Sequence, residues 1–344
     1  MRYFKKEFSG KFFQDLIRGE GYIPKNSLRE GASGRLIRVC TPSPIPIKNN
    51  IPRPFRAGLL IIMTLLCFCL FLAAGCVGTK PLPVEESLPE YVPVRHLVFI
   101  GLDGWGGAYV SGADMPTVER MIARGASSMD MRCVMPSNSL PNWTALFSSA
   151  PPEQQNSGRI PSIFSLFKND EQETRAVFFY EWGELQKIFP AEIIERRPIR
   201  SNPESVKVVA DYIAEKKPAF TAVVMNEPDS TGHDKRWGSA AYNAKLTELD
   251  GFIEIIEQAV KDAGIYDSTV FMLSADHGGI LWGHGFNSSR QRRIPMVIYG
   301  SNIKEGFVIP SPLTICDIAP TMAAILGLEV PPEWTGQLLT GIFK

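Results

Sequence analysis

The chain has 344 residues, 44% of them apolar, enough for one large domain or two ordinary ones with a substantial core. Its 36 basic and 36 acidic side chains balance, but residues 1–56 hold 12 Lys/Arg against 4 Asp/Glu, 57–77 hold none, and the remainder holds 24 against 32. A mildly acidic body has no surplus of cations to neutralise phosphates, so no nucleic-acid polymer is expected as a partner.

Residues 1–56 are basic, carry Pro42, Pro44 and Pro46, and show no apolar periodicity; they read as a disordered extension or as an upstream start assigned in error. Ala57 to Val77, AGLLIIMTLLCFCLFLAAGCV, is apolar throughout and follows Lys48, Arg53 and Arg56, the pattern of a secretory signal. Its ending LAAGC resembles a bacterial lipobox, which would make Cys76 the lipidated first residue of the mature protein. The alternative is an uncleaved transmembrane helix with its positive end inside. Both place the body in the bacterial cell envelope, exported and membrane-anchored, as a periplasmic or surface protein. Cys40, Cys67 and Cys69 would leave with the signal, so Cys133 and Cys316 remain, too few for a disulfide framework though one bridge stays open. Residues 78–93 are a proline-bearing tether, and 94–344 show no repeat or change of composition, as expected of one domain.

That domain opens with HLVFIGLDGWGG, an apolar strand from His96 to Leu102 with Asp103 at its C-terminal end. MPTVERMIARG predicts a helix and SSMDMRCVMP a strand. Ser139 then precedes a helix expected to begin near Asn142, so its hydroxyl would lie where helix N–H groups favour an anion; the bland reading is a turn or cap serine. TRAVFFYEW predicts a strand, SNPESVKVVADYIAEKK a helix, AFTAVVMNEPD a strand, and AAYNAKLTELDGFIEIIEQAVKDAG a long amphipathic helix. TVFMLSADHGG and RIPMVIYG predict two more strands and TICDIAPTMAAILG a last helix. The alternation predicts an α/β domain with a mostly parallel central sheet and helices on both faces.

Three of the four histidines lie beside Asp and Gly, in NEPDSTGHD and in SADHGGILWGHG. Asp276 and His277 follow a strand, where open α/β sheets place their ligands, and glycines on either side of His284 would let it return to the same place. Asp and His together suit zinc or a similar divalent metal; a polar turn closing a strand is the alternative. Asp103, Ser139, Asp229 with His233, and Asp276 with His277 all stand near the C-terminal ends of predicted strands. Ends of parallel strands share one edge of a sheet, so these groups would meet in one pocket.

In combination and order these motifs resemble the alkaline phosphatase superfamily, within it the type I phosphodiesterase, or nucleotide pyrophosphatase/phosphodiesterase, branch, over about residues 94–342. FIGLDGWG is similar to its first metal-binding strand, which makes Asp103 a ligand. PSNSLPNW is similar to its nucleophile segment, with Ser139 where many members have threonine. EPDSTGH gives Asp229 and His233, SADHGG gives Asp276 and His277, and GHG gives His284. The resemblance implies an alkaline-phosphatase-like fold and two divalent cations. One would be held by Asp103, Asp276 and His277 with the Ser139 oxygen, the other by Asp229, His233 and His284. Three Asp and three His favour zinc, with manganese the alternative. It further implies in-line attack of Ser139 on the phosphorus of a small-molecule phosphate ester, through a phospho-serine intermediate. A phosphodiester or phosphoanhydride is the expected substrate; a phosphomonoesterase or phosphoryl-group transferase on the same site, and a non-catalytic binding lipoprotein, are the other readings. Two departures stand out. The run PPEQQNSG replaces the segment with the family's phosphate-binding asparagine, leaving Asn156 as a candidate, and Ser139 lacks the Pro-x-Arg that follows a sulfatase nucleophile.

Overall fold

The computed structural model describes residues 92–155, 160–167, 176–188 and 195–344. By its contacts the chain divides into Met1–Leu82 and Pro83–Lys344, and only the second contains described residues. The expected signal or anchor, Cys76, nearly all of the tether and Asn156 lie outside them. Among the described residues no helix is long and apolar enough to cross a membrane.

In chain order the main elements are β1 (His96–Leu102), α1 (Pro116–Ala123), β2 (Ala126–Arg132), α2 (Ser139–Ser148), β3 (Ala176–Tyr180), β4 (Glu195–Pro198), α3 (Pro203–Lys216) and β5 (Phe220–Met225). There follow α4 (Asp229–Lys235), α5 (Ala240–Asp262), β6 (Thr269–Ser274), β7 (Arg293–Gly300), β8 (Phe307–Val308) and α6 (Ile318–Ile325). The strands form one eight-stranded sheet in the order β4-β3-β5-β1-β6-β7-β2-β8. From β4 to β6 all neighbours are parallel. β7 is antiparallel to both β6 and β2, because it follows β6 with no crossover helix between them. Two reversals cancel, so β2 runs with β1 and delivers Ser139 to the same edge as Asp103.

β1 is central. Leu97, Val98, Phe99 and Ile100 are all buried, so both faces of the sheet are covered, as an unbroken apolar run requires. α1 and α3 pack with α5, and α2 packs with α6. Along α5 the buried Tyr242, Leu246, Leu249, Ile253, Ile256 and Val260 recur every three or four residues, forming one apolar stripe. Phe147 of α2 meets Phe99, Phe164 and Phe178, which ties that helix to β1 and β3 through aromatic edges.

Several elements differ from expectation. The strand expected over 219–229 ends at Met225, and Asp229 opens the short helix α4. Helix α2 starts at Ser139 and not near Asn142, since Asn138 is already extended and Ser139 is helical. The strand expected over 127–136 ends at Arg132, where pairing with β7 stops. β4 and β8 were not anticipated: each is an edge strand, short or charged, and pairs on one side only. Cys133 and Cys316 are buried free thiols, so the bridge left open between them is not made.

The N-terminus of α1 has no cap of its own. Asp250 of α5, itself buried, accepts from the backbone N–H groups of Thr117 (3.0 Å) and Val118 (2.8 Å), serving as a cap from a different helix. Asp250→Ala should therefore leave two helix N–H groups without an acceptor and lower stability by about 2 kcal/mol. The midpoint of denaturant unfolding checks this, and an unchanged midpoint would show that water replaces the carboxylate.

Candidate active site and metal centre

Asp103 stands one residue beyond β1, buried, its N–H bonded to Met225 O of β5 (3.0 Å). Two glycines allow the surroundings to close on it. At Gly101 a Cβ would lie 2.5 Å from the ring of Trp143, so only glycine lets that indole lie across β1, and its Nε1 then donates to Asp103 Oδ2 at 3.0 Å. Gly104 has φ +75°, and a Cβ there would stand 2.9 Å from Asp229. Its N–H donates to Asp276 Oδ1 (3.1 Å), while its carbonyl accepts from Trp237 Nε1 and Tyr242 OH (both 2.9 Å). One glycine thus lies at the junction of the β1, β5 and β6 loops.

The histidines share a pattern. His233 Nδ1 lies 2.9 Å from Trp282 O, His277 Nδ1 3.0 Å from Gly278 O, and His284 Nδ1 2.8 Å from Ser137 O. A carbonyl can only accept, so each Nδ1 carries the proton and each Nε2 lone pair is left for the site. His277 Nε2 is 3.2 Å from Asp276 Oδ2 and 3.6 Å from Asp103 Oδ1. Around Asp229, His233 Nε2 stands at 3.5 Å and His284 Nε2 at 3.6 Å, and these two nitrogens are 3.1 Å apart. The His277 and His284 rings stack at 3.8 Å, joining the two groups. Asp103, Asp276 and His277 each offer one ligand atom within 4.8 Å of the others, and so do Asp229, His233 and His284. His96, the fourth histidine, bonds Pro218 O at the opposite edge of the sheet.

Ser139 Oγ lies 3.1 Å from His277 Nε2 and 3.4 Å from Asp103 Oδ1, at the first residue of α2. All seven residues singled out from sequence therefore come together at the C-terminal edge of β1, β2, β5 and β6. Their supports were not singled out. Asn142 holds the turn before Ser139 by accepting from Val134 N (2.8 Å) and donating to Pro136 O (3.0 Å) and Asn138 O (2.9 Å). Ser137 Oγ donates to Phe286 O and accepts from Gly285 N, both at 3.0 Å, clamping the His284 loop to the nucleophile turn. Gln155 donates to Pro141 O and Ala150 O, and so fastens α2 rather than facing the site. An asparagine one helical turn after the serine was the available signal; the remaining contacts are long-range and invisible in one sequence.

The donor set fits two divalent cations. Burial, with the charge of Asp276 added, pushes the Asp103 carboxyl up to about 8; burial and the charges of Asp103 and Asp276 push Asp229 to about 9; burial takes Asp276 to about 7. Asp229 Oδ1 and Asp276 Oδ2 are buried without a hydrogen-bond partner. Burial lowers His277 below its usual range and, with His277 beside it, takes His284 down to about 3, which keeps both imidazoles neutral as ligands must be. Three crowded carboxylates and three unprotonated Nε2 atoms form an arrangement that positive charge completes.

Comparison with known proteins agrees with this geometry. The family described as type I phosphodiesterase / nucleotide pyrophosphatase matches residues 97–155 and 169–280. The chain is 30% identical over 107 residues to arylsulfatase K of Danio rerio, a match covering 29% of this chain and 20% of that protein. To GPI ethanolamine phosphate transferase 1 of Emericella nidulans it is 31% identical over 133 residues, covering 32% of this chain and 14% of the relative. The chain thus spans a fifth or less of these relatives. Murine ectonucleotide pyrophosphatase/phosphodiesterase 5, solved in complex with AMP, superposes with a TM-score of 0.63 at 12% identity, covering 73% of this chain and 100% of that one. With its sheet, its matched segments and its clustered Asp, His and Ser side chains, the chain belongs to the alkaline phosphatase superfamily, on the type I phosphodiesterase/nucleotide pyrophosphatase side.

Proposed function

We propose that this protein is a two-metal phosphodiesterase or nucleotide pyrophosphatase of the bacterial cell envelope, working through a phospho-serine. The observation that carries the reading is Ser139 Oγ at a helix N-terminus, 3.1 Å from His277 Nε2 and 3.4 Å from Asp103 Oδ1, beside a second Asp-His-His group. Zinc is the expected metal and manganese the alternative, for the donor set is half nitrogen. Asp103, Asp276 and His277 would hold one cation and Asp229, His233 and His284 the other; when bound, they supply Lewis acidity for deprotonating Ser139 and positive charge opposite the departing oxygen.

Ser139 Oγ forms a bond to phosphorus as the bond to the leaving oxygen breaks, and that oxygen leaves as an alcohol or phosphate after taking a proton. Water then attacks the phospho-serine, phosphorus leaves Oγ, and the serine regains its proton. Trp143 keeps Asp103 oriented, and the carbonyls of Trp282, Gly278 and Ser137 fix the imidazoles. The similarity to arylsulfatase K favours a second reading, a sulfate-ester hydrolase, against which Ser139 is followed by Leu-Pro-Asn-Trp. The ethanolamine phosphate transferase similarity keeps phosphoryl-group transfer open. A panel of bis-p-nitrophenyl phosphate, p-nitrophenyl phosphate, p-nitrophenyl sulfate and nucleotides, assayed with zinc, separates these; the diester should turn over fastest, and a preference for sulfate would reject the reading.

Ser139→Ala should lower turnover about 10³-fold or more while leaving metal content intact, and Ser139→Thr should do far less harm. Near-normal turnover in a metal-loaded Ser139→Ala protein would reduce the hydroxyl to part of the helix start. The purified protein should carry about two zinc ions per chain. Elemental analysis should find chiefly one of them missing in His233→Ala or His284→Ala and the other in His277→Ala; full occupancy in all three variants rejects the ligand assignment. For the envelope placement, mass spectrometry should find lipid on Cys76, and Cys76→Ala should accumulate unprocessed precursor. Intact residues 57–76 on the wild-type protein would instead identify a transmembrane anchor.

A further inference from the structure

Of the eleven large apolar side chains exposed among the described residues, four fall within the seven residues Ile280 to Phe286, a concentration unlike the single scattered positions that any surface carries. Leu281 is 54% exposed, Trp282 58% and Phe286 73%. A fifth, Leu140, is the residue after Ser139. The patch borders the metal centre: Trp282 O holds His233, and Phe286 O holds the Ser137 hydroxyl whose carbonyl holds His284.

This loop is mounted rigidly and under strain. Ile280 and Gly283 exchange backbone hydrogen bonds at 3.0 and 3.2 Å, making a tight turn with Leu281 at φ +55°. Glycine or asparagine is the usual occupant of such a position, and an exposed leucine gains no burial there to offset the strain. Leu281 O accepts from Trp237 N–H (2.8 Å), and the neighbouring Arg236 has φ +79° and ψ 135°, a conformation that favours glycine still more. Two strained residues thus meet at one contact beside the site, and strain of this kind collects where function demands it. With both carbonyls of the turn engaged inward, its apolar side chains are held outward at the rim of the site.

We propose that this rim is a lipid-contacting surface, through which the enzyme takes its phosphodiester from an amphiphile at a lipid–water interface. Aliphatic and aromatic side chains on a rigid turn, with a tryptophan among them, suit the interfacial layer of a bilayer. Arg236 and Arg290 are exposed nearby and suit anionic headgroups, and the adjacent Asp234 is already paired with Lys235 at 2.8 Å. The uncharged apolar run 57–77 lies 15 residues before Val92, a separation a chain can span by about 50 Å when extended. The inference rests on the metal centre being a phosphodiester site only for its substrate; the contact with lipid stands separately.

Trp282 gives a direct test, because it is the one exposed tryptophan of six: Trp105, Trp143, Trp237 and Trp334 are buried and Trp182 is partly so. Full-length protein is mixed with phosphatidylcholine/phosphatidylglycerol vesicles whose acyl chains carry bromine, and its emission is compared with that in unbrominated vesicles. Bromine should quench the wild type, and Trp282→Phe should remove most of that quenching even though any N-terminal anchor is unchanged. Leu281→Gly should weaken the quenching while the melting temperature stays level or rises, a combination that a purely structural leucine would not give. Equal quenching in wild type and Trp282→Phe overturns the proposal, as does quenching of Trp282 by AMP in water with none by bromolipid. Failure to hydrolyse any diester, with Trp282 quenching intact, would reject the proposed function and leave the lipid contact standing.

Discussion

Three carboxylates crowded at one edge of one sheet, two of them wholly out of water, are the constraint on which the rest of the structure depends. Asp103 and Asp276 are fully enclosed and Asp229 is partly buried, and each is pushed toward its protonated form by burial, Asp103 and Asp229 also by their like-charged neighbours. A fold would shed such a cluster unless positive charge occupied it, since unpaired buried charge ranks among the largest destabilising effects in proteins. The surroundings are organised to hold the carboxylates there. Trp143 binds one oxygen of Asp103, Gly104 N–H one oxygen of Asp276, and the backbone N–H of Asp229 is bonded to Asp103 O at 2.9 Å.

Topology supplies the convergence. β1 has β5 on one side and β6 on the other, so the loops leaving these three strands begin as neighbours. The serine comes from β2, three places from β1 in the sheet, and reaches the centre because β7 runs backwards between β6 and β2. A β7 parallel to β6 would have needed a crossover helix, and residues 275–292 would then not be available as the long loop that carries Asp276, His277 and His284. Reversal of one strand thus frees the loop that carries Asp276, His277 and His284 and also directs Ser139 toward it.

Much of this was legible in the sequence, for physical reasons that differ by element. β1, β5 and β6 are buried along their whole length and read as largely apolar runs, and an aspartate follows each within one to four residues, Asp103, Asp229 and Asp276. Histidines are few, so three beside aspartates carried more information than they would in a histidine-rich chain. Helix α2 starts three residues earlier than its sequence suggests because Ser139-Leu-Pro-Asn contains no strong helix former after its leucine, and Pro141 is tolerated there only by lying in the first turn. β4 and β8 left no pattern, as four and two residues on an edge need none. Nothing in the local sequence marks Asp250, because its role against the Thr117 and Val118 N–H groups depends on neighbours more than 130 residues away.

The loop from Gly278 to Gly285 shows why a site residue and its support cannot be read separately. Its glycines suggested a flexible return path for His284, yet Leu281 makes the tight turn, with Gly285 at φ +104° adding a second bend. Gly279 instead allows close packing, since a Cβ there would lie 2.1 Å from Trp237. Trp237 in turn bonds Gly104 O through its indole and Leu281 O through its backbone, so the floor of the site and its rim are fastened by one side chain and its own peptide. Moving the turn would move Trp282 O, and with it the proton on His233 Nδ1 that leaves Nε2 free for the site. The strain at Leu281 is therefore borne by the same contacts that set the orientation of His233. A looser, glycine-based turn would remove that strain and, with it, part of the rigidity that keeps the imidazole aimed.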